Sequence, residues 1–310
     1  MKKLLVASLL IVSGCSASTE TAETDLPNIT TGAFPIAWLS SRLAADCATV
    51  TDLTPAGGDV HDLELSPAQT AAVVDAQLII TVSGFQPAFD DAVTTSTAPV
   101  LDLIDAINPI TGHDHDHDHA DDADHDHGHD SESESKADSD ILDPHFWLDP
   151  NRTLLAAAAI RDQVSKLSTY CAEVAATNFT SLQAELIALD LDYGNKLSQC
   201  ASNTLVVSHE AFGYLGDAYD LEQIAVTGLD PESEPSAARI SEIIELAKSK
   251  KVMAVFTEES ANPAVADILA SELGVGVLPL NPIELKPASM DYLVEMQQNL
   301  LNLTKGLDCR

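Results

Sequence analysis

The feature that most restricts this chain is a long run without helix breakers set between two groups of short β-prone runs. From Asn151 to Leu197 the sequence is rich in Ala and Leu, contains no Pro and has a single Gly. As one helix it would measure roughly 60 Å or more, at ~1.5 Å per residue, enough to brace two lobes, with Asn178 as a natural place for a break. Before it lie Ala48 to Leu53, Gln77 to Val82 and Pro99 to Ile104, rich in Val, Ile, Leu and Thr. After it lie Thr204 to Val207, Val252 to Thr257 and Val275 to Leu280. Helical patterns separate these runs: Pro67 to Asp75, opened by Ser66 as N-cap, then Pro235 to Lys250, Pro263 to Leu273 and Ala288 to Leu303. Strand and helix alternating in this way predict α/β lobes, each a parallel sheet with covering helices, joined by a long rigid helix.

The chain begins with a different signal. Met1-Lys2-Lys3 is a short basic start, and the apolar run Leu4 to Val12 is too short to span a membrane. It ends at Val12-Ser13-Gly14-Cys15, which resembles a bacterial lipobox, so residues 1–15 read as a lipoprotein signal with lipid placed on Cys15. Residues 16–27 then read as a tether, and the expected location is outside the cytoplasm, anchored on the periplasmic or cell-surface side of a bacterial membrane. The four remaining cysteines, Cys47, Cys171, Cys200 and Cys309, suit disulfides in an exported chain, and sequence leaves all three pairings open.

Charge narrows the partners. Fifteen Lys and Arg against forty-nine Asp and Glu give a formal net charge of -34, which repels nucleic-acid backbones and suits metal cations. Part of that charge sits in one tract. His113 to His129 reads HDHDHDHADDADHDHGH, and residues 113–140 hold twelve acidic residues and one Lys. Such a composition cannot bury apolar surface, so a disordered loop is expected when metal-free. His113, His115, His117, His119, His125, His127 and His129, interleaved with Asp, make an accessory, low-affinity metal tract.

Seven of the ten His lie in that tract, which leaves His61, His145 and His209 for the folded lobes. His61 follows a β run in a glycine-rich loop, and His209 follows Leu205-Val-Val-Ser208 directly. Ligands of open parallel sheets gather beyond the carboxyl ends of strands, where these two would sit. His145 lies in the turn Asp143 to Pro150, ahead of the helix-prone run. The three together point to one shared metal site.

Five segments carry a family resemblance: Gly58-Asp-Val-His-Asp-Leu-Glu64, Asp143-Pro-His-Phe-Trp-Leu-Asp-Pro150, Ser208-His-Glu-Ala-Phe-Gly-Tyr-Leu215, Gly228-Leu-Asp-Pro-Glu-Ser-Glu-Pro235 and Phe256-Thr-Glu258. In order and spacing they resemble the ZnuA-like zinc-binding proteins of ABC importers, within the cluster A-I (cluster 9) solute-binding family. The resemblance covers the chain from about residue 28. It implies an N-terminal lobe over 28–112, the loop 113–140, a ligand-bearing turn at 141–150, a linking helix over 151–198 and a C-terminal lobe over 199–310. It also implies metal held in the cleft by His61, His145 and His209, an ABC permease with its ATPase as partners, and a monomer. His209 stands where manganese- and iron-type members carry Glu and zinc-type members carry His, so Zn²⁺ is the expected cargo. One position departs: Asn281 stands where the family usually has Asp. The fourth ligand is therefore expected to be water, Asn281 or Glu258, the last of which also reads as a helix-start residue.

Three readings compete with zinc import. A manganese or iron importer of the same fold is disfavoured by His209 and by the His tract. A metal-dependent surface adhesin is a role described for some family members, but adhesion would not need three converging imidazoles. A hydrolytic metalloenzyme would need a positioned general base, commonly supplied by His-Glu-x-x-His, and that motif is absent, so no enzymatic activity is expected.

Overall fold

Each group of β-prone runs folds into its own four-stranded parallel sheet, and the two sheets share one topology. The structure is a computed structural model that describes residues 26–54, 57, 60–112, 141–229, 231, 233–258 and 261–310. The signal segment, Cys15, most of the tether and the His-rich tract lie outside the described residues. The first sheet comprises β1 (Asn28–Thr31), β2 (Thr49–Asp52), β3 (Leu78–Thr81) and β4 (Val100–Asp102), in the order β2-β1-β3-β4. The second comprises β5 (Thr204–Val207), β6 (Glu222–Ala225), β7 (Ala254–Thr257) and β8 (Gly276–Pro279), in the order β6-β5-β7-β8.

Both faces of each sheet are covered, which is why β3 and β5 read as largely apolar runs. In β3, Leu78 and Ile80 join the main core while Ile79 joins a smaller cluster on the opposite face. In β5, Leu205 and Val207 join the main core and Val206 a second outer cluster. Helices α2 (Pro67–Val74) and α3 (Pro87–Thr94) supply Val73 and Phe89 to the outer face of the first sheet. Helices α7 (Ala237–Lys250) and α8 (Pro263–Leu273) supply Ile243 and Leu269 to the outer face of the second. The inner faces meet α1 (Phe34–Ala44), α4 (Pro150–Val164), α5 (Thr169–Leu197), α6 (Gly213–Tyr219) and α9 (Tyr292–Gly306) in one core that runs through both lobes.

Two strands and three helices are absent from the sequence expectation, for local reasons. Asn-Ile-Thr-Thr in β1 has one aliphatic residue, yet Thr30 and Thr31 are buried there. Glu-Gln-Ile-Ala in β6 is polar because β6 is an edge strand. The helices α3 and α6 are short, at 8 and 7 residues, and α1, α3 and α6 all follow residues that provide no side-chain cap.

The linker differs from a single rod. The run expected to be one helix is two, α4 and α5, broken at residues 165–168 rather than near Asn178. Ser168 is the reason: its hydroxyl accepts the Cys171 N–H as the N-cap of α5, and Leu167 N–H closes the preceding turn on Val164 O at 3.0 Å. Asn178 lies inside α5 and donates its amide to Leu43 O at 3.3 Å. The two helices pack antiparallel, with Asn151 near the start of α4 bonded to Asp190 near the end of α5 at 2.9 Å. The span between lobes is thus α5 alone, 29 residues or roughly 43 Å.

Both ends of α5 are pinned. At its start a disulfide joins Cys171 to Cys47, just beyond α1, and near its middle Glu185 accepts from Arg42 of α1 at 2.7 Å. At its end Tyr193 donates to Met296 O of α9 at 2.6 Å and stacks on Tyr219 of α6. The second disulfide, Cys200–Cys309, ties the entry of β5 to the chain's last residues. The two bridges close loops of 124 and 109 residues, so each removes a large share of denatured-state freedom. Replacing both Cys47 and Cys171 by Ala is expected to lower unfolding stability by about 2–5 kcal/mol, read as a lower guanidinium midpoint.

Candidate metal centre

Each lobe presents the carboxyl ends of its strands toward the other, and the candidate side chains emerge from the loops there. His61 lies in the loop after β2. That loop is held by the buried Gln86, whose amide donates to Gly32 O and Val60 O, both at 3.0 Å. Gly32 is required for this bridge, since a Cβ on it would lie 2.0 Å from Gln86 Oε1. His209 follows β5 by two residues, and its loop is laced to the next by Glu210 N–H to Gly228 O and Thr227 N–H to Ser208 O, both at 3.0 Å. His145 sits in the turn before α4. Asp143 Oδ1 accepts both its backbone N–H, at 2.9 Å, and its ring Nδ1–H, at 2.7 Å.

The three imidazoles converge on a residue that the sequence reading did not single out, Glu284, in the turn after β8. Its Oε1 lies 2.8 Å from His145 Nε2, 3.2 Å from His209 Nε2 and 3.3 Å from His61 Nε2. One donor atom from each of the four side chains fits within 4.8 Å of every other, an arrangement able to hold a metal ion. His145 and His209 are fully buried and Glu284 nearly so, while the His61 side chain keeps 15% exposure and marks the solvent side. Among the described residues this is the one such cluster.

The chain matches, over residues 29–306, the family described as ZnuA, zinc-uptake complex component A periplasmic. The chain belongs to the ZnuA family. It is 31% identical over 315 residues to the zinc-binding lipoprotein AdcA of Streptococcus pneumoniae serotype 4, covering 99% of this chain and 62% of AdcA. It is 30% identical to the high-affinity zinc uptake system protein ZnuA of Bacillus subtilis, covering 98% of this chain and 96% of that protein. The chain therefore spans under two thirds of AdcA but nearly all of the Bacillus ZnuA. Its fold superposes on the laminin-binding protein Lmb of Streptococcus agalactiae with a TM-score of 0.75 at 25% identity, covering 91% and 99% of the two chains. That protein is described as bifunctional, with adhesin and metal-transporting activity. Two parallel-sheet α/β lobes with a connecting helix are the architecture this ZnuA-family chain shares with its relatives.

Neither expected fourth residue joins the cluster. Glu258, after β7, instead approaches the far side of His209, with its Oε1 2.7 Å from Nδ1. Asn281 turns its side-chain oxygen to the backbone N–H of Ile283 at 2.7 Å and its amide toward Glu295. The carboxylate that meets the three rings is Glu284, three residues later. The usable signal was positional: Glu284, like Glu258, is an acidic residue just beyond a strand of the second sheet.

Burial and charge oppose each other in this ZnuA-family site. Burial pulls the His145 imidazole down, but Asp143 and Glu284 together outweigh it and raise its pKa. Burial likewise opposes charge on His209, yet Glu258 and Glu284 hold it well above the ordinary imidazole value. Burial would raise Glu284, and the surrounding imidazoles, His209 foremost, push it well below the usual carboxylate range. Below the raised His values and above the lowered Glu284 value, the metal-free network is imidazolium against carboxylate, with ring N–H groups donating on both sides of His145 and His209. Its stabilising effect is full between the carboxylate and ordinary imidazole values. It is lost on the acid side as pH falls through the lowered Glu284 value, and on the basic side as pH rises through the raised His values.

Two outcomes follow from this geometry. In metal-free protein, NMR titration is expected to show His209 still protonated at a pH where exposed imidazoles are neutral, with E258Q lowering its midpoint. Gly213 opens α6 beside Asp143, and a Cβ there would lie 2.7 Å from Asp143 Oδ2. G213A is therefore expected to displace that carboxylate and lower the His145 midpoint, even though Ala favours a helix more than Gly.

Proposed function

We propose that this protein is the extracytoplasmic zinc-capture component of an ABC importer, binding Zn²⁺ through His61, His145, His209 and Glu284. The observation that carries the reading is the convergence of three imidazole Nε2 atoms on one buried carboxylate oxygen. Three nitrogens and one oxygen make a four-donor set, the number and softness that suit Zn²⁺, whereas Mn²⁺ and Mg²⁺ favour more oxygen ligands. Three neutral imidazoles and one carboxylate leave a bound Zn²⁺ with net charge +1 at the site. The carboxylates of Asp143 and Glu258 lie on the Nδ1 atoms of His145 and His209 at 2.7 Å, the outer partners that fix tautomer and ring orientation in zinc sites. Nδ1–H stays bonded and Nε2 is left for the ion. Binding must therefore expel the protons that His145 and His209 hold in the metal-free network.

Capture and delivery need no covalent step. His61 comes from the first sheet's loops, His209 and Glu284 from the second's, and His145 from the turn between them, so a bound ion links the lobes. We infer that Zn²⁺ enters past His61, and that small shifts of the second lobe release it to a membrane permease driven by a cytoplasmic ATPase. Lipid on Cys15 would hold the protein, as a monomer, on the outer face of the membrane. Among the described residues no helix is long and apolar enough to cross one. The tract 113–140 would gather metal near the cleft as an accessory, low-affinity store. Four protein ligands leave no water-bearing position of the kind a hydrolytic zinc site keeps, which favours transport over catalysis. The adhesin reading draws on what is said of Lmb, and nothing in this buried site favours it.

The test is competitive titration of soluble protein starting at Ser16, with Zn²⁺ against Mn²⁺ and with or without residues 113–140. One tight Zn²⁺ site is expected to survive loop removal. H209A and E284A are each expected to weaken it by at least about 100-fold, and D143N or E258Q by about 10- to 100-fold. Affinity is expected to fall as pH is lowered, starting above ~6.5 because His145 and His209 hold their protons more tightly than free imidazole. Preference for Mn²⁺, or loss of all tight binding with the loop, would overturn the assignment.

A further inference from the structure

We propose that Asn281 is a positioning residue for Glu284. Its side chain holds Ile283 in a left-handed backbone conformation, and that conformation aims the Glu284 carboxylate at the three imidazoles. The inference rests on the reading of Glu284 as a metal ligand.

The turn after β8 is built around one strained residue. Ile283 has φ 61°, in the left-handed region that β-branched residues avoid. Its side chain is wholly buried, so the core fixes it there. Something must compensate the backbone, and Asn281 does so by accepting the Ile283 N–H on Oδ1 at 2.7 Å, a short-range turn that Asn side chains favour. Asn281 is itself clamped from α9. Its N–H donates to Asn299 Oδ1 at 2.8 Å, and its carbonyl accepts from Asn299 Nδ2 at 2.6 Å. The next residue, Pro282, restricts Asn281 to extended backbone and offers its carbonyl to the Trp147 indole N–H at 2.7 Å. Trp147 lies in the same turn as His145, so the segments that present His145 and Glu284 are joined by a direct bond.

Residue 284 follows at once. Rotating residue 283 into extended backbone would redirect the Cα–Cβ bond of 284, taking its carboxylate away from His61, His145 and His209. The choice of amide over acid also has a local cause. Asn281 Nδ2 faces Glu295 Oε2 at 3.4 Å, where a carboxylate at 281 would meet like charge. An Asp at 281 keeps the acceptor for Ile283 N–H and loses that contact.

The experiment compares Zn²⁺ affinity, and the visible spectrum of the Co²⁺-loaded protein, for wild type, N281A, N281D, N299A, E284A and N281A/E284A. N281A is expected to weaken Zn²⁺ by about 10-fold or more and to move the Co²⁺ bands toward those of E284A, because residue 281 acts on the first shell from outside it. N281D should retain affinity to within about 10-fold, the low end of outer-partner losses. N299A, which removes the clamp without touching residues 281–284, should shift affinity the same way as N281A and serves if N281A fails to fold. The double variant should bind within about twofold of E284A alone, since a residue that acts through Glu284 has nothing left to act on. An N281A protein that folds and binds like wild type overturns the positioning role while leaving Glu284 a ligand. Losses that multiply in the double variant overturn it too, by giving Asn281 an independent contact. If E284A binds like wild type, the ligand assignment of Glu284 itself falls.

Discussion

A single carboxylate oxygen surrounded by three imidazole nitrogens is the interaction to which the rest of this molecule answers. Glu284 is nearly buried, His145 and His209 fully so, and isolated charges at such depth are strongly disfavoured. They persist because each charge faces its opposite: Glu284 against three rings, Asp143 behind His145 and Glu258 behind His209. Removing one weakens the compensation of its neighbours, and Glu284, which faces all three rings, is the member whose loss leaves most charge uncompensated. A divalent cation held here would relieve the same frustration differently, by replacing the Nε2 protons with one ion.

Keeping that arrangement requires the two lobes to stay in register. The four side chains come from residues 61, 145, 209 and 284, three of which follow strands of two different sheets. Arg152, one turn into α4, shows how the register is kept. Its guanidinium reaches Asp149 at 2.8 Å, Asp217 of α6 at 2.7 Å and Asn108 O at 3.3 Å, and lies over the Tyr214 ring. Tyr214 in turn donates to Asp143 O at 2.7 Å and accepts from Ile110 N–H at 3.3 Å. First lobe, the turn that carries His145 and second lobe thus meet at one cation and one phenol. The helix pair α4–α5 and its pinned ends extend the same restraint to the back of the molecule.

The parts of this fold legible in sequence were those where local pattern and global position agree. Thr204–Val207 reads as a strand because both faces are buried, and Pro263–Leu273 reads as a helix because Asn262 caps it and Gly274 ends it. The three His could be named because so few lie outside the acidic tract, and two of them follow apolar strands. What stayed hidden depends on contacts between segments far apart. Nothing in Asn-Ile-Thr-Thr announces a central strand, since its worth comes from pairing with β2 and β3. Nothing in Ser-Lys-Leu-Ser distinguishes a helix break from a surface turn of a continuous helix. Glu284 was hidden for a subtler reason: its direction depends on the left-handed turn at Ile283, and backbone sign is not written in an Ile.

The repeated strand order explains why a pair of unrelated-looking loops can build one site. In an order of the type 2-1-3-4, the crevice opens between the first and third strands of the unit, where connections leave in opposite directions. In the second sheet those strands are β5 and β7, and the residues just past them are His209 and Glu258, the tightest imidazole–carboxylate pair of that lobe at 2.7 Å. In the first sheet the same crevice lies between β1 and β3, and the residues beyond those strands include Gly32, Phe85 and Gln86, with Gln86 donating to Gly32 O. Gln86 spans it to hold Val60 O, beside His61, and the Phe85 ring packs edge-on to His61 with centroids 4.8 Å apart. One lobe therefore uses its switch point to supply and orient an imidazole directly. The other uses it as a mount for a loop that brings His61 in from the neighbouring edge strand. That asymmetry leaves His61, with 15% of its side chain exposed, the most accessible of the four.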